Sequence, residues 1–189
     1  QYPGSYKGTK VGILGAGKIG SLVIRTLRAM NVEILLFDPF CSREKAEQLG
    51  AELCSLETVF SESQTISNHI AGNLQTRGML DYRLFSRMKP NAAFINTGRG
   101  AQVIETDLVR ALGEEPGRFA VLDVTWPEPV EAGHPFLSLP NVILFPHIAG
   151  YAEQEVLGMP DAMLQELNRF QQGKKLEFEV TLDMLDTMA

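Results

Sequence analysis

The 189-residue sequence predicts an α/β fold built on a doubly wound parallel sheet, and three observations carry that expectation. Apolar runs of strand length alternate with helix-period segments along most of the chain, the pattern of parallel strands joined by crossover helices. A glycine-rich turn, Gly15-Ala-Gly17-Lys-Ile-Gly20, separates the first apolar run from the first helical segment. Later runs end in short polar segments, where open α/β sheets bind ligands beyond the carboxyl ends of their strands.

Strands are expected at 10–15, 32–37, 51–54, 64–69, 92–96, 119–124 and 142–145. After the first of them, Leu22, Ile24, Leu27 and Met30 recur at helical spacing over 21–30, and Asn31 follows as a stop. Ser42 can cap a helix running to Leu49, with Gly50 as its left-handed terminator. Asp81 can cap another that ends before Pro90, because the residue preceding a proline avoids helical geometry. Residues 105–112 read as a helix closing at Gly113. The stretch 126–140 has four prolines beyond Trp126 and no regular period, and ordered loops of that length are usually functional. Beyond Gly150 the pattern is helical to about Gln172, and 176–180 reads as extended. Two units follow: 1–151 as a nucleotide-binding domain, and 152–189 as a helix and tail with no partner inside a simple doubly wound domain.

Each residue of the glycine turn has a separate task in dinucleotide binding. Gly15 permits the tight strand-to-helix turn, Gly17 lets backbone approach a pyrophosphate, and Gly20 lets the helix pack close to the sheet. The helix N-terminus near Lys18 directs N–H groups and roughly half a positive charge at the phosphates. Asp38 ends the second apolar run, where it can accept hydrogen bonds from both adenine ribose hydroxyls and repel a 2′-phosphate. These residues spell a Rossmann fingerprint with NAD preferred over NADP.

Composition narrows the remaining classes. A net charge of −6 and a pI near 5.1, with no basic cluster, give no footprint for nucleic acid. No apolar run approaches a membrane span and the first residues lack signal-peptide zones, so a cytoplasmic protein is expected. Cys41 and Cys54 are expected as free thiols, and with three histidines at no metal-ligand spacing no metal is expected.

Three segments lie after strands of the second half: Ile95-Asn-Thr-Gly-Arg99-Gly, Leu122-Asp123-Val-Thr-Trp-Pro-Glu128-Pro and Phe145-Pro-His147-Ile-Ala-Gly150. With the fingerprint, they resemble the NAD-binding domain of the D-isomer-specific 2-hydroxyacid dehydrogenases, over nearly the whole chain. The resemblance implies that Arg99 binds substrate, that Glu128 partners the histidine, and that His147 is the acid/base. It also implies that Lys18 and Ile19 lie on the pyrophosphate, and that Thr97, Gly98, Asp123 and Gly150 surround the nicotinamide and its ribose. Residues 67–76 are similar to the family's His-x-Pro-Leu-Thr loop under the cofactor, which implicates His69, Ala71 and Thr76. This chain departs there, with Ala71 for proline and Gly72 for leucine; Lys18 replaces a more usual arginine, and Phe145 a common threonine.

The chemistry makes independent sense of three of these residues. Hydride transfer to a 2-oxo acid builds negative charge on the carbonyl oxygen, so a proton donor such as His147 must sit within reach. A carboxylate on the other ring nitrogen, from Glu128, favours the imidazolium and fixes the tautomer. Arg99 offers a planar fork for the substrate carboxylate. Taken singly, Arg99 reads as a surface ion-pair residue, Glu128 as a solvated loop residue and His147 as a packed histidine; His134 reads as a loop histidine. The family further implies a substrate domain before the fingerprint strand, to which the tail would return, and a homodimer in the intact protein. A chain lacking that domain is expected to bind NAD and to turn over a small 2-hydroxy or 2-oxo acid weakly or not at all. A competing function is a non-catalytic NAD(H)-sensing or scaffold protein on the same domain.

Overall fold

The structure, a computed structural model, describes residues 8–150 and 155–184. Seven strands form one parallel sheet: β1 (Lys10–Leu14), β2 (Glu33–Phe37), β3 (Glu52–Leu53), β4 (Thr65–Asn68), β5 (Ala93–Asn96), β6 (Phe119–Leu122) and β7 (Val142–Leu144). Their order is β3-β2-β1-β4-β5-β6-β7, so the winding reverses between β1 and β4 and opens a crevice at their carboxyl ends. The helices are α1 (Lys18–Arg28), α2 (Arg43–Leu49), α3 (Leu56–Glu62), α4 (Tyr82–Phe85), α5 (Glu105–Glu114) and α6 (Glu155–Gln171).

Alternation along the strands builds a core on each face. Val11, Ile13, Ile34 and Leu36 turn to one side, where they meet Ile24 of α1 and Ala46 and Leu49 of α2. Leu35, Ile66, Phe94 and Ala120 turn to the other, against α3, α4 and α5. The centre of that second core is Phe85, edge-on to Phe60 and Phe94 with ring centroids 5.6 and 5.2 Å away. Each such ring, fully buried, contributes about 1.5–3 kcal/mol.

Capping follows the sequence closely. Ser42 Oγ accepts from Lys45 N at 3.2 Å, Gly50 closes α2 with φ +74°, and Asp81 Oδ1 accepts from Arg83 N at 3.0 Å. Helix α1 starts at Lys18, directly on the glycine turn, and stops at Arg28. Helix α5 runs through Gly113 to Glu114, because Glu114 is held by Arg110 Nε at 2.9 Å and by the Tyr82 hydroxyl at 2.6 Å. Helix α3 was not expected; its seven residues are too short to display a period, although Ser55 caps it. Residues 176–180, expected as extended, pair with no described strand and bend at Glu177 and Phe178.

Two apolar surfaces stay open. The sheet face opposite the larger core exposes Phe119 and Ile143 at 44% and 49%, beside Val121. On α6, Leu157, Met163, Leu164, Leu167 and Phe170 are exposed, and neither core includes an α6 residue. The expected boundary at 151/152 lies outside the described residues. Among the described residues no helix is long and apolar enough to cross a membrane, and no group of three His, Cys, Asp or Glu side chains could hold a metal ion. Cys41 and Cys54 are free, and burial pushes both thiols above their ordinary range.

Candidate active site

The glycine turn forms one wall of the crevice between β1 and β4. Gly15 has φ +89° and its N–H donates to Phe37 O at 2.8 Å; a Cβ there would meet His69 O at 2.9 Å. A Cβ on Gly20 would lie 1.9 Å from Gly15 O, so only glycine lets α1 begin against the turn. Gly17 is the N-cap of α1, no side chain caps that helix, and no atom would come within 4 Å of a Cβ at Gly17. Lys18 and Ile19 stand exposed on its first turn.

Asp38 leaves β2 toward the same turn. Its Oδ2 accepts from Ala16 N at 2.6 Å and its Oδ1 from Phe40 N at 2.8 Å. The carboxylate is thereby fixed on the rim, and each oxygen keeps acceptor capacity for a hydroxyl. Lys45 Nζ donates to Ala16 O at 3.2 Å, adding a cation at that rim. Open backbone at Gly17, an uncapped eleven-residue helix and a fixed carboxylate at the end of β2 together fit a dinucleotide.

The opposite wall is the loop after β4. His69 N donates to Leu14 O at 2.8 Å, and its Nε2 is 2.9 Å from Ser67 Oγ. Burial pushes the imidazole below its ordinary value of 6.5, because the charged form loses solvation. The folded protein therefore binds this proton less tightly than the unfolded chain, so the contribution to stability is complete above about pH 6.5 and is lost as pH falls. The expected result is a Tm decline between about pH 7.5 and 5.5 that is steeper in wild type than in His69→Gln, read by thermal melts. Equal slopes would show that His69 ionises freely in the folded state.

Thr76 turns inward: its Oγ1 donates to Ala71 O at 2.9 Å and accepts from Asn73 N at 3.0 Å. Both residues shape the loop. Beneath it, Asn68, Asn96 and Gln102 form a buried amide cluster, with Asn68 Nδ2 2.9 Å from Asn96 Oδ1 and 2.7 Å from Gln102 Oε1. Sequence reasoning passed over this cluster; beyond an asparagine closing each of β4 and β5, nothing in the sequence points to it.

Arg99 follows β5, just beyond Thr97, between two glycines that are each packed closely against neighbouring segments. A Cβ at Gly98 would lie 3.0 Å from Asn68 Nδ2, and one at Gly100 would lie 2.1 Å from Thr125 O. The Arg99 stem lies over Gly72, where a Cβ would come within 2.4 Å of its Cγ. The departure from leucine at Gly72 is what makes room for that stem. The exposed guanidinium donates through Nη1 to Gly98 O at 2.9 Å, rather than to Glu128.

Glu128 and His147 meet directly, Oε1 to Nδ1 at 2.6 Å, with both side chains partly exposed. His147 has φ +55°, a left-handed conformation that costs a non-glycine residue about 1–2 kcal/mol. The next two residues hold it there: Asp123, 5% exposed, accepts Ile148 N on Oδ1 at 2.8 Å and Ala149 N on Oδ2 at 2.9 Å. Asp123 N in turn donates to Asn96 O at 3.0 Å, tying this corner to the strand that leads to Arg99. Gly150, further along the same loop, is exposed. Contact thus joins Glu128, His147 and the loop clamped by Asp123, with Arg99 arriving from the neighbouring strand end.

The long 126–140 loop is anchored elsewhere. Glu105 Oε1 accepts from Trp126 N at 2.8 Å, and its Oε2 lies 3.3 Å from His134 Nε2. His134 Nδ1 also accepts from Phe136 N, which accounts for this histidine within the loop. Burial pushes the Glu105 carboxyl above its ordinary range.

Residues 2–149 match the family described as D-isomer specific 2-hydroxyacid dehydrogenase, NAD binding domain. The chain is 29% identical over 180 residues to D-3-phosphoglycerate dehydrogenase of Archaeoglobus fulgidus, covering 95% of this chain and 34% of that protein. It is 38% identical over 168 residues to glyoxylate reductase of Aeropyrum pernix, covering 89% of this chain and 50% of that protein. Among solved structures, the apo form of D-mandelate dehydrogenase from Rhodotorula graminis aligns with a TM-score of 0.82 at 26% identity, over 94% of this chain and 52% of that one. The chain therefore spans about a third to a half of the length of these relatives.

Proposed function

This chain belongs to the D-isomer-specific 2-hydroxyacid dehydrogenases, as their NAD-binding domain, and from that premise we propose that the whole protein moves hydride between nicotinamide and a small 2-hydroxy or 2-oxo acid. The observation that carries the reading is the 2.6 Å Glu128–His147 contact between the segments that follow β6 and β7, with Asp123 clamping the His147 loop and Arg99 following the adjacent strand β5. Gly15, Gly17, Lys18, Ile19 and Gly20 would hold the pyrophosphate, and Asp38 the adenine ribose. Thr97, Gly98 and Gly150 would flank the nicotinamide end, over the loop of His69, Ala71 and Thr76.

Bound NADH supplies the hydride. His147 gives its Nε2 proton to the carbonyl oxygen as charge develops there, and in the reverse direction takes the hydroxyl proton. Glu128 keeps Nδ1 protonated and orients the ring, so that Nε2 faces outward. Arg99 releases Gly98 O and closes its fork on the substrate carboxylate. Phosphoglycerate and glyoxylate, the substrates named for the two relatives above, are the first acids to test.

The rest of the whole protein would supply the substrate domain and cover the two open apolar surfaces. Parallel sheets are found with both faces covered, which supports a partner for Phe119 and Ile143; the exposed apolar stripe of α6 supports a second contact. We assign 1–151 to the NAD-binding domain and 152–189 to a helix and tail that pack on that remainder, in a homodimer located in the cytoplasm.

NADH oxidation by the whole protein across a panel of 2-oxo acids tests the activity. Turnover of at least one acid is expected, with weak or no turnover by the isolated chain; tight NADH binding without turnover of any acid would instead make this a sensor. For cofactor choice, Asp38→Ala removes a charged acceptor and is expected to weaken NADH binding about 10- to 100-fold, while NADPH affinity holds or rises. Fluorescence titrations of both cofactors measure it, and an unchanged preference would place Asp38 off the ribose.

A further inference from the structure

Gln102 occupies an unusual position: a polar side chain, 1% exposed, whose hydrogen-bonding sites are all used, by Asn68 at the end of β4, by the loop that follows it and by the Arg99 segment. Its Oε1 accepts from Asn68 Nδ2 at 2.7 Å and from Arg99 N at 3.3 Å. Its Nε2 donates to Ile70 O and Ala71 O, each at 3.0 Å. Its own carbonyl accepts from Leu80 N at 2.9 Å, so the side chain reaches from a pinned backbone.

The neighbouring amides extend the same connection. Asn68 Oδ1 accepts from Ile70 N at 3.2 Å; Asn96 Oδ1 accepts from Gly98 N at 3.1 Å and Asn96 Nδ2 donates to Arg99 O at 3.3 Å. A fully satisfied buried network of this kind rigidifies what it joins, and losing one member leaves several buried groups unpaired. On one side it holds residues 70 and 71, next to the His69 backbone that packs on Gly15. On the other it holds both backbone polar groups of Arg99.

We propose that Gln102 is a positioning residue that couples the loop under the glycine turn, 69–76, to the Arg99 segment, so that order gained on binding cofactor is passed to the arginine that holds substrate. The proposal rests on the dehydrogenase reading for the role of Arg99, and on the hydrogen bonds alone for the coupling. The Arg99 stem over Gly72 supplies a second, apolar contact between the same two segments. Binding one ligand that stiffens a shared network favours the other in return.

The test is hydrogen exchange of this chain, wild type and Gln102→Met, with and without NADH, read at peptides 69–76 and 97–101. In wild type, NADH is expected to slow both peptides; in Q102M it slows 69–76 as before, while within 97–101 only the Thr97 and Gly98 amides, which flank the nicotinamide, stay protected and those of 99–101 no longer slow. Alongside, Q102M in the whole protein is expected to raise KM for the oxo acid about tenfold while kcat and NADH affinity change less than about threefold. If Q102M does not fold, Gln102→Glu takes its place, keeping the acceptor for Arg99 and removing the donors to Ile70 and Ala71. Equal NADH protection of 97–101 in variant and wild type overturns the coupling, as does a fall in kcat at constant KM. Protection of 69–76 alone in wild type also overturns the coupling, whereas absence of NADH protection at both wild-type peptides overturns the cofactor reading instead. The ligand-free comparison then decides the coupling: it stands if the variant speeds both peptides and falls if it speeds one.

Discussion

His147→Asn is expected to lower kcat for oxo-acid reduction by the whole protein about 10²- to 10⁴-fold, with NADH affinity within about twofold of wild type. The magnitude is that of a lost proton donor, since an amide does not ionise in the working range and water must replace it. Asparagine is the informative substitution because of the backbone. His147 sits at φ +55°, where asparagine is among the few residues accommodated, so the loop and its clamps on Asp123 survive the change. A small loss of stability with a large loss of kcat would therefore report chemistry rather than collapse of the loop. Steady-state kinetics and an NADH titration on one preparation measure both, and kcat within about threefold of wild type would remove His147 from the reaction.

Much of this architecture was legible because local and global signals agree. The Val11–Leu14 run, the three glycines and Asp38 each have a steric or electrostatic task, and Ser42, Gly50 and Asp81 cap where their side chains or missing Cβ predict. The segments carrying Arg99, Glu128 and His147 were legible through their order along strand ends. What escaped was long-range polar pairing. Arg118 satisfies Ser86 O, Met88 O and Ala111 O with no ion-paired carboxylate among the described residues, and Asn68, Asn96 and Gln102 meet from three separate segments. Neither arrangement leaves a periodic or spaced signature, because its partners are backbone carbonyls and amides set by the fold. The outward extent of α5 was hidden for the same reason: Gly113 reads as a stop unless Tyr82 and Arg110 are known to hold Glu114.

Asp123 shows how such pairing changes a residue's meaning. By resemblance it belongs beside the nicotinamide ribose, yet both its carboxylate oxygens are engaged by the loop that follows His147. Asp123→Asn replaces one acceptor oxygen with an amide that points donors at a part-buried backbone N–H, at nearly constant volume. Charge-assisted hydrogen bonds of this kind contribute about 1.5–3 kcal/mol each, so a clear fall in Tm is expected. Freed from its clamp, the loop lets His147 relax from the left-handed region and move off the line to the carbonyl oxygen. A displacement of about 1 Å costs on the order of 10² in rate, so kcat should fall about 100-fold. The discriminating quantity is NADH affinity. If Asp123 acts by holding the loop, the dissociation constant changes less than about threefold; if it bonds the cofactor ribose, the constant rises about tenfold or more while kcat at saturation is largely kept. Melting curves, NADH titration and saturating-cofactor kinetics on the one variant separate the two roles.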